Sequence, residues 1–264
     1  MSIDHRVPVE DLAPRTYDRR RIAGKYGIDA PCVPLLSAVF GAVALVGAVV
    51  ASTTTSMAWW LALAVLLFSQ ALVFVHMTFR GKFVVWERLF DQLPLDGGEL
   101  VLDVGCGRGM VLIAAARRLT TGRAIGIDLW RAGDQDGNDP VATRVNAHAN
   151  RVADRIDLQT ADMSRTQLPS ATFDVVTANV AIRTVKDRVK RRAAVEEIYR
   201  VTKPGGTMLL VDTQHVLEYR DDLVACGAED VRLSSLGPSG WFGNPYVASR
   251  LVSATKPGLD RLPR

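Results

Sequence analysis

Residues 101–109 read VLDVGCGRG, and MVLIAAARRL follows directly at 110–119. A hydrophobic run stops at three glycines in five positions, and a helix-like run begins. Glycine has no Cβ, so its backbone can approach a ligand closely. A strand–loop–helix order also aims free backbone N–H groups at that ligand. Ligands of open α/β sheets bind at the carboxyl ends of the strands. Gly105, Gly107 and Gly109 therefore mark a binding loop by position as well as by type.

The spacing narrows the ligand. The dinucleotide fingerprint is G-x-G-x-x-G, but here Met110 stands where the third glycine belongs. The loop carries no lysine, which excludes a P-loop. The next β-rich run, 123–128, ends on Asp128, whose carboxylate can accept hydrogen bonds from two ribose hydroxyls. This combination fits a nucleoside better than a pyrophosphate.

Outward from the loop, β-rich and helical runs alternate. Strands are expected at 99–104, 123–128, 155–160, 173–178 and 207–212, and helices at 109–119, 140–152 and 187–201. Asp139-Pro140 is a good helix start, since the carboxylate caps and proline suits the first turn. Val189, Ala193, Ile198 and Val201 fall on roughly one side of the third helix, and Lys203-Pro204-Gly205-Gly206 is expected to end it. Residues 231–236 and 246–255 read as a closing pair of strands with no helix between them. Such alternation means a parallel sheet covered on both faces.

Upstream the composition changes. The chain has 264 residues, 48% of them hydrophobic, and a mean hydropathy of +0.11. The apolar excess is local, for residues 30–79 contain no Asp, Glu, Lys or Arg. Two runs, 33–51 and 58–79, each have the length needed to cross ~30 Å of hydrocarbon. The turn between them, STTTSM at 52–57, is uncharged. Neither run has the polar face of a soluble helix. The first begins too far into the chain for a signal peptide, and a second follows it. A transmembrane hairpin over 31–80 is expected, with a re-entrant or peripheral hairpin and a buried core pair as alternatives.

Arg15, Arg19, Arg20, Arg21 and Lys25 precede the hairpin, and Arg80, Lys82 and Arg88 follow it. The positive-inside rule then puts both flanks on the cytosolic side of the cell membrane: the basic segment 1–30, and everything from the linker or helix 81–98 onward. Trp59 and Trp60 fall at the opposite interface. Ser37, Gly41, Ala44 and Ala48 recur at three- and four-residue spacing, which suits close helix approach. His76 reads as an interfacial histidine.

Five motifs in order and spacing carry a resemblance: VLDVGCGRG, then GIDLW at 126–130, TADM at 160–163, FDVVTANVAI at 173–182 and VTKPGGTMLLVD at 201–212. Together they resemble the class I S-adenosylmethionine-dependent methyltransferases, nearest to the group that holds ubiquinone/menaquinone C-methyltransferases and arsenite methyltransferases. The resemblance implies an α/β fold, a Rossmann-like seven-stranded mostly parallel sheet with helices on both faces and an antiparallel last strand. That domain would span 99–256, preceded by the two transmembrane helices and followed by a tail, 257–264. The implied cofactor is S-adenosyl-L-methionine. Asp103, Gly105, Gly107 and Gly109 would line its methionine half, and Asp128 would take the ribose hydroxyls. Leu129 and Trp130 would flank the adenine. Asp162, with the Met163 amide, would read the adenine amino group, and Asn179 would stand beside the methyl and its acceptor.

The remaining features are weighed from the residues. Residues 134–139 resemble a calcium loop, but the glycine is misplaced and Val145 stands where a glutamate is needed. A solvated loop and helix cap is expected instead. Cys32, Cys106 and Cys226 are scattered and odd in number, so no metal site or disulfide framework is expected. Cys106 has no thiol partners for arsenite chemistry. A net charge of +4 is mild, and no nucleic-acid motif accompanies it. The basic run Arg183, Lys186, Arg188, Lys190, Arg191, Arg192 is expected to be a solvated face, with contact to anionic lipid as the sharper alternative. His215 and Tyr219 follow the fifth strand, and His215 is a candidate general base. In GPSGWFGNPY, residues 237–246, Trp241, Phe242 and Tyr246 either wall an apolar acceptor pocket or pack beneath the loop.

The expected activity is methyl transfer to a small lipophilic acceptor such as a quinone or lipid. Other readings stay open: a soluble acceptor with the hairpin as anchor only, a protein acceptor, an inactive cofactor-binding membrane adaptor, and an NAD-dependent dehydrogenase. The oligomeric state has no signal in the sequence.

Overall fold

Side chains alternate across a strand, so a sheet covered on both faces must bury successive residues in two different cores. The computed structural model, which describes residues 22–27, 32–51, 53–131 and 137–258, shows this directly. Strands β1 (Leu100–Val104), β2 (Arg123–Asp128), β3 (Ile156–Thr160), β4 (Phe173–Asn179), β5 (Thr202–Asp212), β6 (Glu229–Ser235) and β7 (Arg250–Thr255) form one sheet. Their order is β3-β2-β1-β4-β5-β7-β6. Val101, Val175, Leu209 and Val211 enter one core, while Leu102, Val104, Val176, Met208 and Leu210 enter the other. β1 through β5 pair in parallel, and β7 runs antiparallel to both β5 and β6.

Helices α4 (Met110–Ala116) and α5 (Pro140–Ala149) follow β1 and β2, and α6 (Arg188–Val201) and α7 (Val216–Ala225) follow β4 and β5. Asp139 caps α5 as expected, accepting from the Val141 N–H at 2.6 Å. Three expectations are corrected. Residues 203–206 do not form a terminating loop; they continue β5, where Gly205 and Gly206 exchange backbone hydrogen bonds with Lys256. The expected helix 109–119 is shorter at both ends. α7 has no counterpart in the sequence reading.

The two apolar runs are helices α1 (Cys32–Val50) and α2 (Thr54–His76). The turn is tighter than expected, because Thr53 caps α2 and Ser56 completes a reciprocal capping box. Ser37, Gly41, Ala44 and Ala48 are the buried residues of α1. Gly41 lies against the Phe68 ring, where a Cβ would stand 3.2 Å away, and Gly47 against Trp60, so close that a Cβ would collide. The outer faces stay bare: Val49, for example, is 86% exposed. Both helices have the length and apolar composition to cross a membrane.

α2 does not stop at the end of the apolar run. A π turn, Met77–Gly81, leads straight into α3 (Lys82–Asp91). A π turn inserts extra backbone per turn and so rotates the face that follows. Before it, α2 faces α1; after it, Val85, Trp86, Leu89 and Phe90 are buried in the core on the α4 side.

Residues 22–27 return to that same side. Asn150 exchanges hydrogen bonds with both the N–H and the carbonyl of Ala23, and Asn146 does the same with Lys25. Alternate residues of an extended strand and residues i and i+4 of a helix repeat at nearly the same distance, roughly 6–7 Å. Asn146 on α5 and Asn150 at its C-terminal cap thus pair the backbone of residues 23 and 25 much as a neighbouring strand would.

Candidate active site

The loop after β1 is built from backbone geometry that only glycine adopts at low cost. Gly105, Gly107 and Gly109 have φ of 69°, 49° and 82°. At Gly105 a Cβ would collide with the Cβ of Ala181 as well. Gly109 is the residue before α4 and has no side chain to cap it. Asp103 does that work from beneath. Its Oδ2 accepts from the Leu112 N–H at 3.1 Å and its Oδ1 from the Thr177 hydroxyl at 2.8 Å. Asp103 therefore supports the loop from the core and is not itself open to a ligand. Burial pushes its pKa up to about 7, against the pull of those two hydrogen bonds.

The loop is braced from outside too. The Thr143 hydroxyl donates to the Gly107 carbonyl at 2.7 Å, and Asn146 donates to the Arg108 carbonyl at 3.0 Å. Asp128, at the end of β2, accepts from the Gly107 N–H at 2.9 Å, the Trp130 N–H at 2.7 Å and the Asn138 amide at 3.2 Å. Trp130 takes φ of 56°, and its indole N–H reaches the Thr160 hydroxyl at 3.0 Å. Leu129 beside it is partly exposed.

Asn138 supplies a test of what the corner can hold. Its amide nitrogen is fixed by Asp128 and the Arg131 carbonyl, but its buried Oδ1 has no partner. A buried acceptor without a donor costs on the order of 1–3 kcal/mol. A ribose, which brings two hydroxyl donors, suits an unmet acceptor set beside a carboxylate.

Asp162 folds back on its own turn: its Oδ1 accepts from the backbone N–H and the hydroxyl of Ser164. Those bonds hold its carboxyl below the usual range. Met163 lies against Gly105. Asn179 ends β4, and its Oδ1 accepts from the Trp86 indole N–H at 2.9 Å. Val180 follows with φ of 54°, a costly conformation for a β-branched residue. It is held there by its N–H donating to the Val211 carbonyl at 2.7 Å.

A family model described as a methyltransferase domain matches residues 102–210. An uncharacterized methyltransferase of Mycobacterium tuberculosis is 32% identical over 150 residues, 54% of this chain and 67% of that protein. The chain belongs to the methyltransferase-domain family. A demethylmenaquinone methyltransferase of Symbiobacterium thermophilum is 34% identical over 134 residues, and the match spans only half of each protein. Among solved structures, the geranyl diphosphate C-methyltransferase of Streptomyces coelicolor shares the fold with a TM-score of 0.55 at 17% identity. That alignment covers 72% of this chain and 84% of the other.

Other expectations for this methyltransferase domain fare differently. His215 precedes α7 with φ of 60°, and its Nδ1 sits 2.8 Å from Glu218 Oε1. Glu218 also takes Arg191 and Arg188, so His215 belongs to an ion cluster between α6 and α7. Tyr219 is buried and donates to Asp212. The basic run is largely spent inside the domain, on Asp212 (Arg183), Asp222 (Arg188), Glu218 (Arg191) and Glu196 (Arg192). That removes most of the charge on which the lipid alternative for this run depends. Burial pushes the Cys106 thiol far up, so it stays protonated and inert. Residues 134–136 of the calcium-like loop lie outside the described residues, as do Arg15, Arg19, Arg20 and Arg21. Among the described residues no group of three His, Cys, Asp or Glu could hold a metal.

The sequence reading missed Trp86, Asn138 and Asp212 as site residues. Asp212 closes β5 beside Asn179's strand, takes the Arg183 and Thr213 N–H groups, and is pushed up to about 6 by burial.

Two outcomes follow. Asp103 in the unfolded chain ionises near its ordinary value of 3.8, and in the folded chain near 7. The folded state thus binds the extra proton in between, and stability from this group falls as pH rises through that window. Asp103→Asn should flatten the decline in melting temperature between those pH values; an unchanged slope contradicts the assignment. Asp128→Ala removes the brace on Gly107 and Trp130 together. Affinity for S-adenosylhomocysteine, read by calorimetry, should fall at least ~10-fold, as expected for hydrogen bonds to a charged group. Unchanged affinity contradicts the ribose-corner assignment.

Proposed function

We propose that this chain is a membrane-anchored, S-adenosylmethionine-dependent methyltransferase whose acceptor is a small lipophilic molecule. The observation that carries this reading is the unbroken helix Thr54–Asp91. It runs from the bare apolar hairpin to Trp86, whose indole holds Asn179 at the end of β4. An exposed apolar surface of this extent on a water-soluble monomer is unfavourable, and a bilayer removes the penalty. The charge-free window bounded by basic flanks supports cytosolic placement of the catalytic domain.

In this reading the backbone N–H groups around Gly105–Gly109 face the methionine half of the cofactor. Asp128 and Asn138 take the ribose hydroxyls. Leu129, Trp130, Asp162 and Met163 frame the adenine. The cofactor supplies an electrophilic methyl on a cationic sulfur. The protein contributes positioning and exclusion of water, which together account for much of a transfer rate. Asn179, fixed in rotamer by Trp86, is the polar group at the transfer corner. His215 pairs with Glu218 at the start of α7.

The lipophilic acceptor is supported by two observations. The domain is tied to an apolar hairpin, and a tether raises the local concentration of the site near lipid. A relative carries a name in demethylmenaquinone methylation. The second reading, a soluble acceptor with the hairpin as an address, rests on the many apolar residues of α1 that face away from the domain.

The test is transfer of labelled methyl from S-adenosylmethionine, using membrane-embedded enzyme and native extract, followed by separation of organic, aqueous and protein phases. Label should enter the organic phase. Label confined to the aqueous phase establishes the second reading, and label confined to protein overturns both. No transfer to any phase, with the cofactor still bound, makes the chain a binding adaptor instead.

A further inference from the structure

The loop 241–247, WFGNPYV, contains no charged residue. It reaches back along the long helix to a level inside the apolar run. Phe242, 9% exposed, packs edge-on against Phe74 with ring centroids 5.7 Å apart. Gly243 lies so close to Gln70 that a Cβ would stand 3.0 Å from its Cγ and 3.3 Å from its carbonyl oxygen. Gln70 in turn reaches the Ser37 hydroxyl in the second turn of α1, at 3.4 Å. Arg80 is the first charged residue after the apolar run. At 1.5 Å per residue, Phe74 lies about 9 Å and Gln70 about 15 Å up the helix from Arg80.

The outward side of the loop is bare. Tyr246 is 96% exposed and Val247 is 47% exposed. In water these side chains gain nothing from this placement. At a bilayer boundary they do: a tyrosine ring sits with its body among acyl chains and its hydroxyl among headgroups.

The inner side of the loop leads to the site. Phe242, Phe74 and Met77 form a small cluster, apart from the two sheet cores, with Val180 packed against it. Val180 is the strained residue directly after Asn179. Apolar contact is therefore continuous from the bilayer-level residue Phe74 to the transfer corner.

We propose that loop 241–247 is a second membrane contact, seated in the cytosolic leaflet beside α2. This inference rests on the hairpin being membrane-spanning, and the experiment separates the two. Single cysteines are placed at Tyr246, at Val247, at Leu66 on the outer face of α2 and at Val224 on α7. The background is Cys32→Ser and Cys226→Ser, with the buried Cys106 retained. Each protein is spin-labelled in liposomes, and collision rates with oxygen and with a water-soluble nickel chelate are compared.

Tyr246→Cys and Val247→Cys should show an oxygen-to-nickel ratio several-fold above Val224→Cys, approaching that of Leu66→Cys. A loop ratio equal to that at position 224, with position 66 still oxygen-rich, overturns the loop contact and leaves the hairpin standing. A nickel-accessible position 66 overturns the hairpin, and the loop contact with it. Both loop positions are exposed, so labelling them costs no packing, and agreement between the two guards against a local distortion at either.

Discussion

A helix whose backbone hydrogen bonding does not lapse from Thr54 to Asp91 is a rigid rod. The rest of the molecule is arranged around what that rod joins. Its first half is sheathed by α1 and by bare apolar side chains. Its second half is core to the catalytic domain, with Trp86 and Phe90 fully buried. The π turn at Met77–Gly81 lies between the half that faces α1 and the half that packs on the α4 side of the domain. A flexible linker would have tethered the domain; this rod also orients it. Trp86 carries that orientation to Asn179 through one hydrogen bond, and Phe74 carries it to Val180 through packing.

The cofactor corner is held in a complementary way. Each face of the glycine loop meets a different support: Asp103 and Thr177 from the core, Thr143 and Asn146 from α5, Asp128 from β2. Asn146 also binds the backbone of Lys25, so residues 22–27 are linked through it to the same loop. The site is bounded on both sides by chain that leads into the hairpin. Such preorganisation matters for methyl transfer, since the cofactor brings the reactive group and the protein has mainly to fix distance and direction.

Much of this was legible in the sequence, for reasons that differ by element. The glycine loop, β2 and the end at Asp128 could be read because backbone conformation and strand pattern are local properties. The small-residue seam of α1 could be read because helical periodicity places Ser37, Gly41, Ala44 and Ala48 on one stripe whatever packs there. The Trp86–Asn179 bond could not be read, since its partners are 93 positions apart and a buried tryptophan on an amphipathic helix looks like core. Nor could the asparagine pairing of residues 23 and 25, which spans more than 120 positions. The basic run is the solvated face that was expected, but its partners could not be read, because sequence shows charges without them: Glu218 and Asp222 lie on the next helix and pair with Arg191 and Arg188. The resemblance implies a place for Asp103 at the cofactor's methionine half; only the fold shows its carboxylate lying beneath the glycines and accepting from the first turn of α4. Lys203-Pro204-Gly205-Gly206 carries turn chemistry, yet pairing with Lys256 keeps it in the sheet.

The most direct measurement of the coupling between rod and site is Trp86→Phe, which keeps an aromatic ring in the core and deletes only the donor to Asn179. S-adenosylhomocysteine affinity and methyl transfer to native membranes are measured on the same preparation. The account predicts unchanged affinity with transfer reduced about tenfold, the consequence of the Asn179 amide oxygen losing the indole donor that fixes it. Equal transfer by both proteins would contradict it, and would leave the long helix as an anchor with no part in the reaction.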